Sequence, residues 1–87
     1  MSLINLEEER NTFMKRLQDR YSDDDCLEDY LIEANYVFNA LIAGLRKFEI
    51  QETAVAVNLA HMRGISVTKV NRPNEVSYFL IRYTPVR

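Results

Sequence analysis

The sequence predicts an α+β fold: an antiparallel helical hairpin, a short helix followed by a long central one, packed on a C-terminal three-stranded antiparallel β-meander. Three observations predict it. Leu27, Leu31, Ala34, Phe38, Leu41, Leu45 and Phe48 recur at alternating steps of four and three, which lines them along one seam of a helix. Beyond Ile50 the apolar period becomes two, as in strands. Turn-forming residues, Arg63-Gly64 and Arg72-Pro73-Asn74-Glu75, then divide that second half into short segments.

The first helix is expected over about residues 5–21. Asn5 or Ser2 can cap it, Glu8 stands at the capping-box spacing from Asn5, and Glu7 to Glu9 suit the positive end of the helix dipole. Its seam is Leu6, Phe13 and Leu17, flanked by Met14 and Tyr21, with Arg10 laying its stem across the gap. Ser22-Asp23-Asp24-Asp25 is both link and cap, and so short a link folds the next helix back antiparallel.

The second helix is expected over about residues 24–48. A second apolar line, Cys26, Tyr30, Val37, Ala40 and Gly44, runs beside the first, so this helix needs cover on two sides. Strands are expected over about 53–62, 65–71 and 76–84. Val55, Val57 and Leu59 alternate in the first, and Phe79, Ile81 and Tyr83 oppose Val76, Tyr78 and Leu80 in the last. A second parse is a winged helix-turn-helix, with a helix over Thr53 to Arg63, a turn at Gly64 and a recognition helix over Val67 to Arg72. Against it, Arg63 stands where such motifs bury an apolar residue, and Pro73 cuts the recognition helix short.

At 87 residues the chain, 1–87, makes one domain, and its 47% apolar and 28% charged content is that of a globular protein. Its longest apolar runs are a few residues, against the roughly 20 that span a bilayer. Met1 to Ile4 leads straight into acids with no signal-peptide pattern, and Cys26 is the sole cysteine, so a cytoplasmic location is expected. Charge is divided: residues 1–52 hold twelve acids and six bases, and residues 53–87 hold five bases against Glu75 alone. Such a division suits either an anionic partner or attraction between the halves, within one chain or between two copies.

The chemical candidates each have a plainer explanation. Asp23, Asp24, Asp25, Glu28, Asp29 and Glu33 are dense enough to suggest a hard-metal site, but a calcium loop's alternating ligands and turn glycine are missing. Caps and a solvated helix face account for them. His61 has no carboxylate and nucleophile at a recognisable spacing, and a place at a sheet edge is expected for it. Cys26 gains from the helix dipole but faces three aspartates that oppose a thiolate. Gly44 and Gly64 are isolated, so no phosphate-cradling loop is present. The expectation is a non-enzyme with no cofactor and no metal.

What remains is surplus apolar surface: Leu3, Ile4, Tyr36, Ile42 and one face of the last strand. It points to a small inhibitor, antitoxin-like or accessory protein of bacterial or phage type. Such a protein would act by protein–protein association, beginning with a homodimer, and not at a membrane. Tyr36, Ile42, Phe79, Ile81 and Tyr83, with Lys69, Arg72 and Arg82, are the expected contact residues. The alternative is nucleic-acid binding, by the winged module or by bases stacking on Tyr78, Phe79 and Tyr83 between Lys69, Arg72 and Arg82.

Overall fold

Asn5 caps the first helix as predicted: its side-chain oxygen accepts from the backbone N–H of Glu7 at 3.1 Å and of Glu8 at 3.2 Å. The structure, a computed structural model, describes residues 5–85, so Ser2, Leu3 and Ile4 lie outside the described residues. Helix α1 runs Leu6–Arg20 and buries Phe13 and Leu17. Helix α2 runs Leu27–Ile42 and buries Ala34, Val37, Phe38, Ala40 and Leu41. Tyr21 meets Tyr30 (ring centroids 5.4 Å apart), Phe13 meets Phe38 (5.3 Å) and Arg10 reaches Asn39. Numbers that rise on one helix fall on the other, so the pair is antiparallel.

The second helix is shorter than predicted at both ends. Asp24 accepts from the N–H of Cys26 at 2.8 Å, which delays the first turn to Leu27. At the other end Gly44 takes φ +100°, the N–H of Leu45 reaches the carbonyl of Ala40 (2.9 Å), and that of Gly44 reaches Leu41 (3.0 Å). These are the two bonds of a Schellman stop, which needs a left-handed residue that glycine supplies without steric cost. Leu45 and Phe48 therefore leave the helix although their spacing continues it.

Lys47–Ile50 is instead strand β1, with Phe48 and Ile50 buried and Lys47 and Glu49 exposed. A short helix, α3, follows at Thr53–Leu59, where a strand over 53–62 was expected. Its buried residues are Val55, Ala56, Asn58 and Leu59, a helical spacing, while Val57 is exposed. The entry to this helix is held from far away in sequence: Glu33 on α2 accepts from the N–H groups of Gln51 (3.1 Å) and Glu52 (2.9 Å). The winged parse is correct about a helix from Thr53 but not about a recognition helix, since β2 occupies Ile65–Val70.

Strand β3, Tyr78–Tyr83, completes an antiparallel sheet of order β1-β3-β2. The fold is α+β as predicted, with a different connection: the chain crosses from one edge strand through α3 to the other, then returns up the middle. Phe48 and Val67 both oppose Ile81, and Ile50 and Lys69 both oppose Phe79, so these residues share the inward face. Lys47, Glu49, Tyr78, Leu80, Arg82, Ser66, Thr68 and Val70 form the outward one. The turn at Arg72-Pro73-Asn74-Glu75 is present, with Asn74 at φ 62° and the N–H of Glu75 donating to the carbonyl of Arg72 at 3.2 Å. One core joins helices and sheet: Phe13 and Leu17, the buried side of α2, Val55, Ala56 and Leu59, and Phe48, Ile50, Phe79, Ile81 and Tyr83.

Candidate functional site

Helix α2 touches α1 on one flank and the sheet and α3 on another, and among the described residues nothing covers its third flank. There Ile32 is 62% exposed, Tyr36 53% and Ile42 43%, with Leu45 just past the helix end at 49%. Asn35, Asn39 and Ala43 are exposed between them. The core side is fixed by Ala34, Val37, Phe38 and Leu41, and at 3.6 residues per turn Ile32, Tyr36 and Ala43 fall on the opposite side. The Tyr36 ring stands edge-on to Phe48, centroids 6.3 Å apart, so β1 holds it in place. Beside it lies a recess of about 390 Å³ lined by Asp29, Ile32, Glu33, Tyr36 and Glu52.

The recess is acidic at its rim. Burial pushes the Glu52 carboxyl above its ordinary value, helped by the charges of Glu33, Asp29 and Asp24. A carboxyl raised by folding costs stability when ionised and costs nothing once both states are protonated. Glu52→Gln is therefore expected to raise the thermal midpoint at pH 7, an advantage that disappears as the pH falls below about 4. Melting curves of the two proteins at both pH values measure this.

The residues singled out from sequence are scattered. Tyr36 and Ile42 lie on the open flank of α2, as surplus surface should. Phe79, Ile81 and Tyr83 do not: they are 9%, 0% and 6% exposed and belong to the core, because their parity faces α2 and α3. Lys69 sits on the edge strand β2, exposed, opposite Phe79. Arg82 is exposed on the outward face between Lys47 and Ser66. Arg72 lies over the Tyr78 ring at 4.4 Å, donates to the Tyr78 hydroxyl at 2.8 Å, and pairs with Glu75 at 3.5 Å. The stacking platform is thus not assembled, since Phe79 and Tyr83 point inward while Tyr78 and Arg82 point outward. Ile32, the most exposed apolar residue of α2, is the residue that sequence reading omits. Its signal was its place four before Tyr36, off both apolar lines.

Two of the clustered acids have structural work. Asp24 accepts from the Tyr30 hydroxyl at 3.0 Å as well as from the Cys26 N–H, and the bond to the hydroxyl pushes the Tyr30 pKa up to about 12. Glu33 holds the start of α3. Among the described residues, no three or more His, Cys, Asp or Glu side chains are placed to hold a metal ion. Cys26 is exposed, and desolvation together with Asp24, Asp29, Glu52 and Asp25 raises its pKa, which disfavours the thiolate. His61 lies in the turn after α3, not at a sheet edge. It borders a groove of about 340 Å³ with Glu9, Thr12, Phe13, Arg16, Met62 and Arg63. No helix among the described residues is long and apolar enough to cross a membrane. Compared with known protein families, curated proteins and solved structures, the chain matches none.

Proposed function

We propose that this protein works by non-catalytic association with another protein, a second copy of itself first, through the uncovered flank of α2. The observation that carries this is the position of Ile32, Tyr36 and Ile42, each 43–62% exposed, on one flank of one helix. Fully covering an aliphatic or aromatic side chain of this size is worth about 1.5–3 kcal/mol, and each of these has part of that still to gain. Single exposed apolar residues are ordinary, but several on one helix flank form a contact patch. An inhibitor or accessory protein of this size would present such a patch on a rigid element, and α2 is held by the core along its length.

Light scattering across a range from below one micromolar to the high micromolar is expected to show a mass rising toward twice 10.2 kDa. Ile32→Lys combined with Tyr36→Glu should hold the protein at the monomer mass without loss of helical circular dichroism, since both side chains are largely exposed. A wild-type monomer throughout that range would remove self-association.

A further inference from the structure

The open flank of α2 carries a row of residues with a symmetry of its own. Glu28, Ile32, Asn35, Asn39, Ile42 and Arg46 advance by steps of four, three, four, three and four, and all six are exposed. The first five lie on the helix, and Arg46 stands just beyond its end. Alternating steps of four and three keep a row on one side of a helix, as in the seam of a coiled coil. The stop at Gly44 takes Arg46 off the helix, so the spacing holds for the first five residues, and among them Ile32, Asn35, Asn39 and Ile42 read the same in both directions by step and by chemistry. Isoleucine answers isoleucine and asparagine answers asparagine, while Glu28 before them and Arg46 past the helix end place an acid and a base on either side.

A row of that kind can pair with itself when one copy is reversed. Ile42 of each copy then faces Ile32 of the other, entering the space between Glu28, Leu31, Ile32 and Asn35. Those four stand at positions i, i+3, i+4 and i+7, the arrangement that receives one side chain from a facing helix. Nearer the centre, Asn39 faces Asn35. Asn39 already accepts from Arg10 at 3.4 Å, and its amide N–H groups can donate to the Asn35 oxygen of the other copy. An asparagine pair within an apolar seam fixes register, because a shifted alignment sets amides against isoleucines.

Charge selects the same direction. The first turn of α2 carries Glu28 and Asp29 with Asp25 just before it, and its end is followed by Arg46 and Lys47. Arg46 is anchored there by the carbonyls of Leu41 (3.5 Å) and Leu45 (3.2 Å) and by the Tyr83 ring beneath it (5.4 Å). A parallel pair would set acids against acids, whereas an antiparallel pair sets each acidic end against a basic one and opposes the two helix dipoles.

We infer that two copies of this chain dock α2 against α2 in antiparallel register about a two-fold axis, pairing Ile32 with Ile42 and Asn35 with Asn39. This rests on the association proposed above and specifies its geometry. A two-fold contact uses one patch that complements itself, and the row meets that requirement on a single helix. A contact along a helix about 24 Å long is smaller than the roughly 800 Å² per partner of a standard interface, so a micromolar dimer is expected.

Disulfide capture tests the register in a Cys26→Ser background. Ile32→Cys mixed with Ile42→Cys is expected to give a cross-linked dimer on oxidation. Either variant alone should stay uncross-linked, its two cysteines lying about 15 Å apart along the axes. A second measurement leaves the apolar residues unaltered: Glu28→Arg or Arg46→Glu alone should weaken the dimer about tenfold, since the exchange acts twice per dimer, and the double variant should restore it. Cross-linking of Ile32→Cys with itself, no cross-link in the mixture, or no restoration in the double variant would overturn the antiparallel register while leaving a wild-type dimer in place. A wild-type monomer would remove the association as well, so the two failures are distinguishable.

Discussion

Phe38→Ala is expected to cost about 3–5 kcal/mol, the usual range for deleting a buried phenylalanine. Phe38 has no exposed surface and packs its ring 5.3 Å from that of Phe13 at a 55° tilt, so the variant loses both transfer energy and the contact that joins α1 to α2. A chain of 87 residues has roughly 4–13 kcal/mol of stability in all, at about 0.05–0.15 per residue. The variant should therefore show a sharply lower urea midpoint, with part of the population unfolded in water at the lower end of that range. A loss under about 1 kcal/mol would mean that the two helices are not held by a common core.

Asn58→Leu is expected to cost about 2–3 kcal/mol although it exchanges a polar residue for an apolar one of similar size inside the core. Asn58 is 1% exposed and spends both ends of its amide. Its oxygen accepts from Arg20 at 3.0 Å, and its nitrogen donates to the Tyr21 hydroxyl at 3.1 Å and the Ala54 carbonyl at 2.7 Å. Leucine satisfies none of them and leaves the half-buried Tyr21 hydroxyl without this donor. Arg20→Leu should cost less, because it strands the Asn58 oxygen but leaves the bonds of the Asn58 nitrogen to Tyr21 and Ala54 in place. Equal losses from the two substitutions, measured by chemical denaturation, would refute the ranking.

Helix α1 was legible almost to the residue because everything that sets it is local: Asn5, the acids after it and a regular apolar seam. The end of α2 was misplaced because Leu45 and Phe48 continue the four-and-three spacing across Gly44, whose role as a helix stop depends on backbone angles that spacing does not encode. Phe48 and Ile50, alternating around exposed Glu49, held the strand signal. The segment at Thr53–Leu59 alternates Val55, Val57 and Leu59 like a strand, yet the entry to its helix is held by Glu33, eighteen and nineteen positions away from its two donors. No local window contains that bond. On the open flank, Tyr36 and Ile42 were recognisable as apolar residues in excess of the core's needs. The inward parity of Phe79, Ile81 and Tyr83 was not, since the last strand is apolar on both faces and only its neighbours decide which is covered.

The order β1-β3-β2 has a consequence for how this protein is made. Neither edge strand bonds to the other; each finds its partner only in Tyr78–Tyr83, which follows both of them in sequence. A nascent chain emerging from the ribosome can close its helical hairpin early, but must then wait with two orphan strands until that last segment appears. Premature termination before Tyr78 would abolish the whole sheet, not trim one side of it.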